Sequence, residues 1–232
     1  MIRNADILRQ LYEAGARGIS GAALATKMSV SRSAVWARIE ELRRLGFDIQ
    51  ASPHGGYHLQ ETPDLLFGED IEARLDSIQI VGRQVQVFQE TASTNEIAER
   101  LGRDGVAEGA VVLAEHQTQG KGRLGRLWES PGGKSILMSV LLRPSVRPPE
   151  VTRLTVMGAT AIARAIERVS AVRVTIKWPN DVMVGERKLA GILTEMNAET
   201  DRVRYAVLGI GLNVNQSQEE LPQGISLPPT SL

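Results

Sequence analysis

Residues 117–128 read Gln117-Thr118-Gln119-Gly120-Lys121-Gly122-Arg123-Leu124-Gly125-Arg126-Leu127-Trp128, and what flanks this stretch decides the fold class. Three glycines and three cations interleave over the seven residues from Gly120 to Arg126. Glycine permits positive φ and close backbone approach, so several N–H groups can converge on one anion. Guanidinium forks match phosphate or carboxylate oxygens. The stretch is not a P-loop, which needs Gly-Lys followed by Ser or Thr. Nor is it a dinucleotide fingerprint, which opens a helix. An apolar strand over 110–117 leads in, and a second strand over 135–142 follows. So polar and glycine-rich a loop is expected to order over a ligand rather than by itself. A solvated loop or a second DNA contact would have the same composition.

Outward from this loop, strands and helices do not alternate regularly. Residues 84–89 predict a strand, and Ser93 begins a helix running to Arg103. Ser93 and Glu96 have the spacing of a capping box, while Ser93, Thr94 and Asn95 could equally hydrogen-bond a small polar ligand. Residues 149–169 predict a long helix with Leu154, Met157, Ala161, Ile162, Ala165, Ile166 and Val169 as its core stripe. A strand over 172–177 ends in Trp178-Pro179-Asn180-Asp181. A hairpin over 182–196 turns at Gly185-Glu186-Arg187, and a last strand ends in Gly209-Ile210-Gly211-Leu212-Asn213. This order predicts an α+β domain with a mixed sheet rather than a doubly wound parallel one. Lys177, Asn180, Asp181 and Lys188 can meet if the hairpin packs beside the preceding strand. Separately, Lys188 could be an edge-strand charge and Asn180-Asp181 a simple turn.

The first sixty residues differ in charge from the rest. They hold eight basic and five acidic side chains, a net of +3 that the remainder cancels to a formal charge of zero. Residues 2–14 predict a helix ended by Gly15, and 21–27 a short second helix. A tight turn leads to Ser31, whose hydroxyl can cap a third helix with Val35, Ile39, Leu42 and Leu45 on one face. Two helices joined by a short turn, followed by strands at 47–50 and 57–59, make a winged helix-turn-helix. Ser31, Arg32, Ser33 and Trp36 would face DNA, with His54 in the wing. A protein-docking helical domain would show the same pattern, with Trp36 as a partly buried anchor. Glu61-Thr62-Pro63-Asp64 reads as the edge between domains at 1–62 and 63–232.

The chain has 232 residues and no cysteine, which excludes a disulfide framework, thiolate metal sites and a thiol nucleophile. No run of about 18 apolar residues occurs, and the N-terminus lacks a signal-peptide apolar core. A cytoplasmic protein without membrane attachment is expected.

Together the motifs resemble the biotin–protein ligase family. The resemblance is carried by Ser93-Thr94-Asn95, by Gln117 with the Gly120–Arg126 loop and Trp128, by Lys177-Trp178-Pro179-Asn180-Asp181, by Arg187 to Leu193 and by Gly209 to Asn213. The helix-turn-helix ahead of them matches the bifunctional form that is also the biotin-operon repressor. The resemblance implies a catalytic fold of the class II aminoacyl-tRNA synthetase and biotin–lipoate ligase type. It implies ATP and biotin as substrates with Mg²⁺, a biotin carboxyl carrier protein and operator DNA as partners, and a homodimer. Ser93, Thr94, Asn95, Gln117, Gly120, Lys121, Gly122, Arg123 and Lys188 match biotin-site positions, with Arg123 and Lys188 acting on the reacting groups. Arg126, Trp128, Lys177, Asn180, Asp181 and Asn213 match nucleotide-side positions, with Asp181 as a magnesium ligand. Lys121 stands where many members have Arg, and Leu124 where many have a basic residue. Members of this type usually continue into a C-terminal SH3-like barrel, expected to be absent from a chain ending at Leu232. The alternative implied by that shortness is a biotin-sensing DNA regulator without ligase turnover.

Overall fold

The computed structural model describes residues 2–52, 55–75 and 80–232. The chain forms two compact units, Met1–Ile78 and Gln79–Leu232. The boundary falls later than the expected 62/63 because an additional helix, Gly68–Arg74, belongs to the first unit. It packs on the first helix, where Arg9 donates to the carbonyls of Glu72 and Ala73 and Tyr12 hydrogen-bonds Asp70. No strong apolar periodicity marks Gly68–Arg74; its tertiary contacts define it.

In the first unit, α1 (Asn4–Ala14), α2 (Gly21–Met28) and α3 (Arg32–Arg44) are followed by the antiparallel pair β1 (Asp48–Ser52) and β2 (Gly56–Glu61), with α4 (Gly68–Arg74) last. Ser20 and Ser31 cap α2 and α3, accepting from the amides of Ala23 and Ala34 at 3.0 and 3.2 Å. Ile7, Leu8, Leu11, Leu24, Val35, Ile39 and Leu42 close the core, with Phe47 and Ile49 beneath. Leu45, expected in that core, is 37% exposed, because α3 ends at Arg44 and the chain turns at Gly46 with φ +96°. Gly56 also has positive φ, and a Cβ there would lie 2.3 Å from the Ile19 carbonyl. That close approach lets Tyr57 pair with Ile19 and seats the strands on the helices.

The second unit is one seven-stranded sheet in the order β3-β4-β5-β9-β8-β7-β6. Its strands are β3 (Gln84–Thr91), β4 (Ala110–Gln117), β5 (Ser135–Leu142), β6 (Thr175–Lys177), β7 (Asp181–Val184), β8 (Arg187–Ala198) and β9 (Val203–Asn213). The β3–β4 pair alone is parallel, joined by helix α5 (Thr94–Arg103); the other pairs are antiparallel. This is the expected mixed sheet. β9 lies at its centre and is buried along nearly its whole length, as a strand covered on both faces must be. Successive residues of β9 face opposite sides. Tyr205 and Gly209 meet α5, whereas Leu208 meets Gly158 of α6 (Thr152–Val169). The two helices therefore cover opposite faces.

The apolar stripe of α6 is rotated from its expected position. Leu154, Thr155, Gly158, Ala159 and Ile166 are buried, while Met157 and Val169 are 61% and 82% exposed and Ala161 and Ala165 also face solvent. Small residues at 158 and 159 let the helix approach β9 closely, and that approach selected the buried face over the larger side chains. From Val214 to Leu232 the chain runs in turns without a further helix or strand. Among the described residues, no helix is long and apolar enough to cross a membrane.

Candidate active site

The pocket forms where the end of β4, the loop after it, the start of α5 and the middles of β8 and β9 converge. Ser93, Thr94, Asn95, Gln117, Lys121, Gly122, Arg123, Trp128, Asn180 and Lys188 all line it, together with Gly191, Gly209 and Gly211. Glycines within strands cost stability unless something needs the space, and here three side chains need it. A Cβ on Gly209 would lie 2.2 Å from Asn95 Oδ1, one on Gly211 2.5 Å from Trp128 Cε2, and one on Gly191 3.1 Å from Lys188 Nζ.

One end of the pocket is a buried hydroxyl–amide chain. Gln117 Oε1 accepts from the Thr94 amide at 2.7 Å and lies 2.9 Å from Thr94 Oγ1. Ser139 Oγ lies 2.8 Å from Thr94 Oγ1 and 2.6 Å from Asn95 Oδ1, and Asn95 Nδ2 donates to Glu195 at 2.6 Å. The capping box at Ser93 is not formed: the Ser93 side chain makes no capping bond, and Glu96 instead ion-pairs with Lys121 at 3.0 Å. That hydrogen bond, with Glu195 and Glu99 nearby, holds the Lys121 ammonium above its usual range.

The other end carries the cations. Arg123 donates to Asn180 Oδ1 at 2.6 Å, and Lys188 Nζ pairs with Asp181 Oδ1 at 2.7 Å while lying 5.7 Å above the Trp128 ring. Both groups can receive an anion by exchanging these partners. Contrary to expectation, the glycine loop has internal order. Gly122 donates to the Arg126 carbonyl at 2.7 Å, Trp128 to Gly120 at 2.9 Å, and Lys121 bridges Leu127. Leu124 takes positive φ at the tip and is 90% exposed. The backbone satisfies itself in a hairpin, a solution invisible to composition. Trp128 Nε1 is buried in this loop with no hydrogen-bond partner among the described residues.

In the first unit, Ser31, Arg32, Ser33 and Trp36 all point outward from the start of α3. Trp36 is 58% exposed. Arg38 and Arg43 are instead held within the unit, paired with Glu41 and Glu40, and Arg43 also donates to the Ile49 carbonyl. His54 lies outside the described residues.

Residues 87–213 match the profile of the biotin/lipoate A/B protein ligase family. The chain belongs to this family. Residues 3–58 match a helix-turn-helix domain. The chain is 37% identical to the bifunctional ligase/repressor BirA of Bacillus subtilis (strain 168), over 98% of its own length and 70% of that protein. It is 34% identical to BirA of Escherichia coli (strain K12), over 87% of its length and 61% of that protein. A solved biotin protein ligase from Aquifex aeolicus, in complex with biotin and ATP, superposes with a TM-score of 0.51 at 33% identity. That match covers 64% of this chain and 59% of the other. A Leishmania major ligase in complex with biotinyl-5-AMP gives 0.53 at 26% identity, over 64% of this chain and 63% of the other. The chain thus spans between 59% and 70% of the length of these relatives.

Several expected ligase-site residues lie elsewhere. Arg126 is exposed and meets the loop through its carbonyl; Gly120 is buried beneath the loop, where a Cβ would lie 2.2 Å from the Trp128 carbonyl. Lys177 lies in a separate edge groove with Thr175, Met183 and Pro228. Asn213 is buried, donates to the Thr230 carbonyl at 2.9 Å and accepts from Gln216, so its amide ties down the segment after β9 rather than lining the pocket. That segment also brackets Lys188: its amide donates to Pro228 and its carbonyl accepts from Thr230, both at 2.8 Å. Asp181 Oδ1 is already taken by Lys188 and by Asn180 Nδ2 at 3.0 Å. Among the described residues no three His, Cys, Asp or Glu side chains cluster as a metal cage. Sequence reasoning missed Ser139, Glu195 and the pocket glycines as site residues. The glycines stood inside quoted motifs, where a strand glycine is itself a signal of close approach.

Proposed function

We propose that this chain is an ATP-dependent biotin–protein ligase whose helix-turn-helix unit makes it a biotin-responsive repressor. One observation carries the reading: a buried neutral hydrogen-bonding end and a cationic end share one pocket, floored by strand glycines. Such a cavity suits an uncharged ring system joined to a carboxylate. Thr94, Asn95 and Gln117 would hold the ring, while Lys188 and Arg123 would meet the carboxylate and the α-phosphate. A carboxylate oxygen bonds to the α-phosphorus of ATP, and pyrophosphate leaves with the bridging oxygen. A carrier lysine amine then attacks the acyl carbon, AMP departs, and the amine proton goes to solvent.

No covalent nucleophile of the chain is needed. Holding the two substrates in register supplies much of the rate. Positioned cations stabilise charge developing on phosphorus oxygens. The glycine hairpin with Trp128 limits water near the acyl phosphate, which would otherwise hydrolyse. Magnesium enters on the triphosphate, as part of the substrate. The protein acts in the cytoplasm as a homodimer, with α3 in the major groove of operator DNA and the adenylate as corepressor. Trp128 and Asn180 lie on the nucleotide side.

The test is biotin-dependent exchange of pyrophosphate into ATP, followed by labelling of a biotin carboxyl carrier domain, with free lipoate as competitor. Exchange and transfer are expected, with lipoate a poor competitor. Absence of both at saturating ATP, Mg²⁺ and biotin defeats the ligase reading. Biotin binding without either would leave a biotin-sensing DNA regulator.

A further inference from the structure

We propose that Arg187 is a positioning residue, strapping the segment 228–230 to a bulge in β8 that aims Lys188 into the pocket. This role rests on the ligase reading above, in which the Lys188 ammonium meets the reacting groups.

Plain alternation along β8 would not point Lys188 into the pocket. Gly191 and Leu193 line it, whereas Thr194 meets Thr155 of α6 on the opposite face. Successive residues of a strand face opposite sides. Lys188 lies an even number of positions from Thr194, so unbroken alternation would send it toward α6. It lines the pocket instead, with Nζ 3.1 Å from where a Cβ on Gly191 would lie. The pairing with β7 supplies the reason. Asp181 is opposite Gly191 and Val182 opposite Ala190, but Met183 is opposite Lys188, so Leu189 is an extra residue. A bulge of this kind re-aims the side chains beside it. Directly opposed residues share a face, which puts Lys188 on the face of Met183, Asp181 and Gly191. There Nζ reaches Asp181 Oδ1 at 2.7 Å.

A bulge disrupts the ladder locally, so its backbone needs other partners. Strand β9 gives none at this point, because its pairing with β8 stops at Ala190–Leu212. The segment 228–230 takes its place. Lys188 donates its amide to the Pro228 carbonyl and accepts from the Thr230 amide, both at 2.8 Å, with Pro229 opposite it as in a parallel ladder. This segment has no helix or strand of its own to stiffen it. Arg187 fastens it from the adjoining position on β8. Its Nε donates to the Pro229 carbonyl at 3.0 Å, and Nη2 donates to Gln218 Oε1 at 2.6 Å. Asn213 Nδ2 holds the next carbonyl, that of Thr230. Arg187 does not line the pocket but lies in the edge groove with Lys177. Its influence on adenylate formation must therefore pass through Lys188.

A double-mutant cycle in biotin-dependent pyrophosphate exchange tests this, with Arg187→Ala, Lys188→Ala and both together. Arg187→Ala should lower kcat about tenfold, since a small misplacement of a reacting group is enough for that loss. In the Lys188→Ala background the same change should cost less than about twofold, because the group it positions is gone. Arg187→Lys keeps a cationic donor without the fork and should fall between Arg187→Ala and wild type. In the ligand-free protein, Lys188 Nζ lies 5.7 Å from the centre of the Trp128 ring. NMR signals of the Lys188 side chain, identified by their loss in Lys188→Ala, should therefore carry a ring-current shift that Arg187→Ala abolishes. The melting curve should stay native. If Arg187→Ala melts early, Gln218→Ala removes only the outer contact and should give both effects in smaller measure. Wild-type exchange in the Arg187 and Gln218 variants, an equal fold-loss in both backgrounds, or unmoved Lys188 signals would overturn the proposal. A wild-type protein without biotin-dependent exchange, with the Lys188 signals moved in Arg187→Ala, would instead sink the ligase reading.

Discussion

At one end of the pocket Thr94, Asn95 and Ser139 are at most 5% exposed and interlock through short hydrogen bonds; at the other, Arg123 and Lys188 stand nearer the surface, held by Asn180 and Asp181. The difference is one of exchangeability. Buried neutral groups are costly to leave unpaired, so their partners are fixed and their geometry precedes the ligand. A partly solvated ion pair is weak in net terms, so a substrate anion can replace the carboxylate that holds it. The first end is built to recognise, the second to react.

Breaking the reactive end should have the largest effect. Lys188→Ala and Arg123→Ala are each expected to cut the rate of adenylate formation by about 10²–10³-fold, the range for losing one positioned charge-stabilising group. Steady-state pyrophosphate exchange measures this, with a native melting curve as control; wild-type rates would remove both residues from the reaction. Between the two ends lies Trp128 on its glycine floor. Gly211→Ala places a methyl 2.5 Å from Trp128 Cε2, so the indole must move. An overpacking cost of about 1–3 kcal/mol should appear as a rise of about tenfold or more in the KM for biotin, and an unchanged KM would mean that the indole adapts freely.

Smaller effects are expected away from the pocket. Arg32→Ala on the outer face of α3 should lower operator affinity about equally across sequences and reduce the salt slope by about one if it meets a phosphate. Biotinylation should not change, and a loss of biotinylation would show that the helix-turn-helix unit serves the ligase directly. Ser31→Ala removes the α3 cap and should cost about 1 kcal/mol of stability in that unit, read from its melting transition. The smallest effect concerns Glu199 in the β8–β9 turn, whose carboxyl the Arg202 and Arg204 guanidinium groups hold down to about 2. A depressed carboxylate adds stability above its unfolded pKa and loses it as pH falls through the folded value. Its contribution should therefore fade between about pH 4.5 and 2, and Glu199→Gln should flatten acid unfolding slightly in that window. Identical acid curves would leave the pair without thermodynamic weight.

Local chemistry was largely legible in the sequence. Serine at 31 was legible as a helix cap, and apolar runs located strands β4 and β5 with their boundaries, because each depends on neighbours a few residues away; glycines at 120, 122 and 125 beside cations pointed to an anion loop. The α6 stripe was legible only as helical, since which side is buried depends on the close approach of Gly158 to Leu208. The same holds for the site. Composition and order identified Thr94, Gln117, Arg123 and Lys188 as a set, through the family that the motifs resemble. Tertiary structure alone decided that Asn213 and Lys177 lie outside the pocket, that Asp181 pairs with Lys188, and that Ser139 and Glu195 hydrogen-bond Thr94 and Asn95 from strands β5 and β8. A hydrogen bond between residues 100 apart, such as Asn95 to Glu195, leaves no periodic trace. Its existence depends on sheet order, and sheet order is settled by the whole core at once.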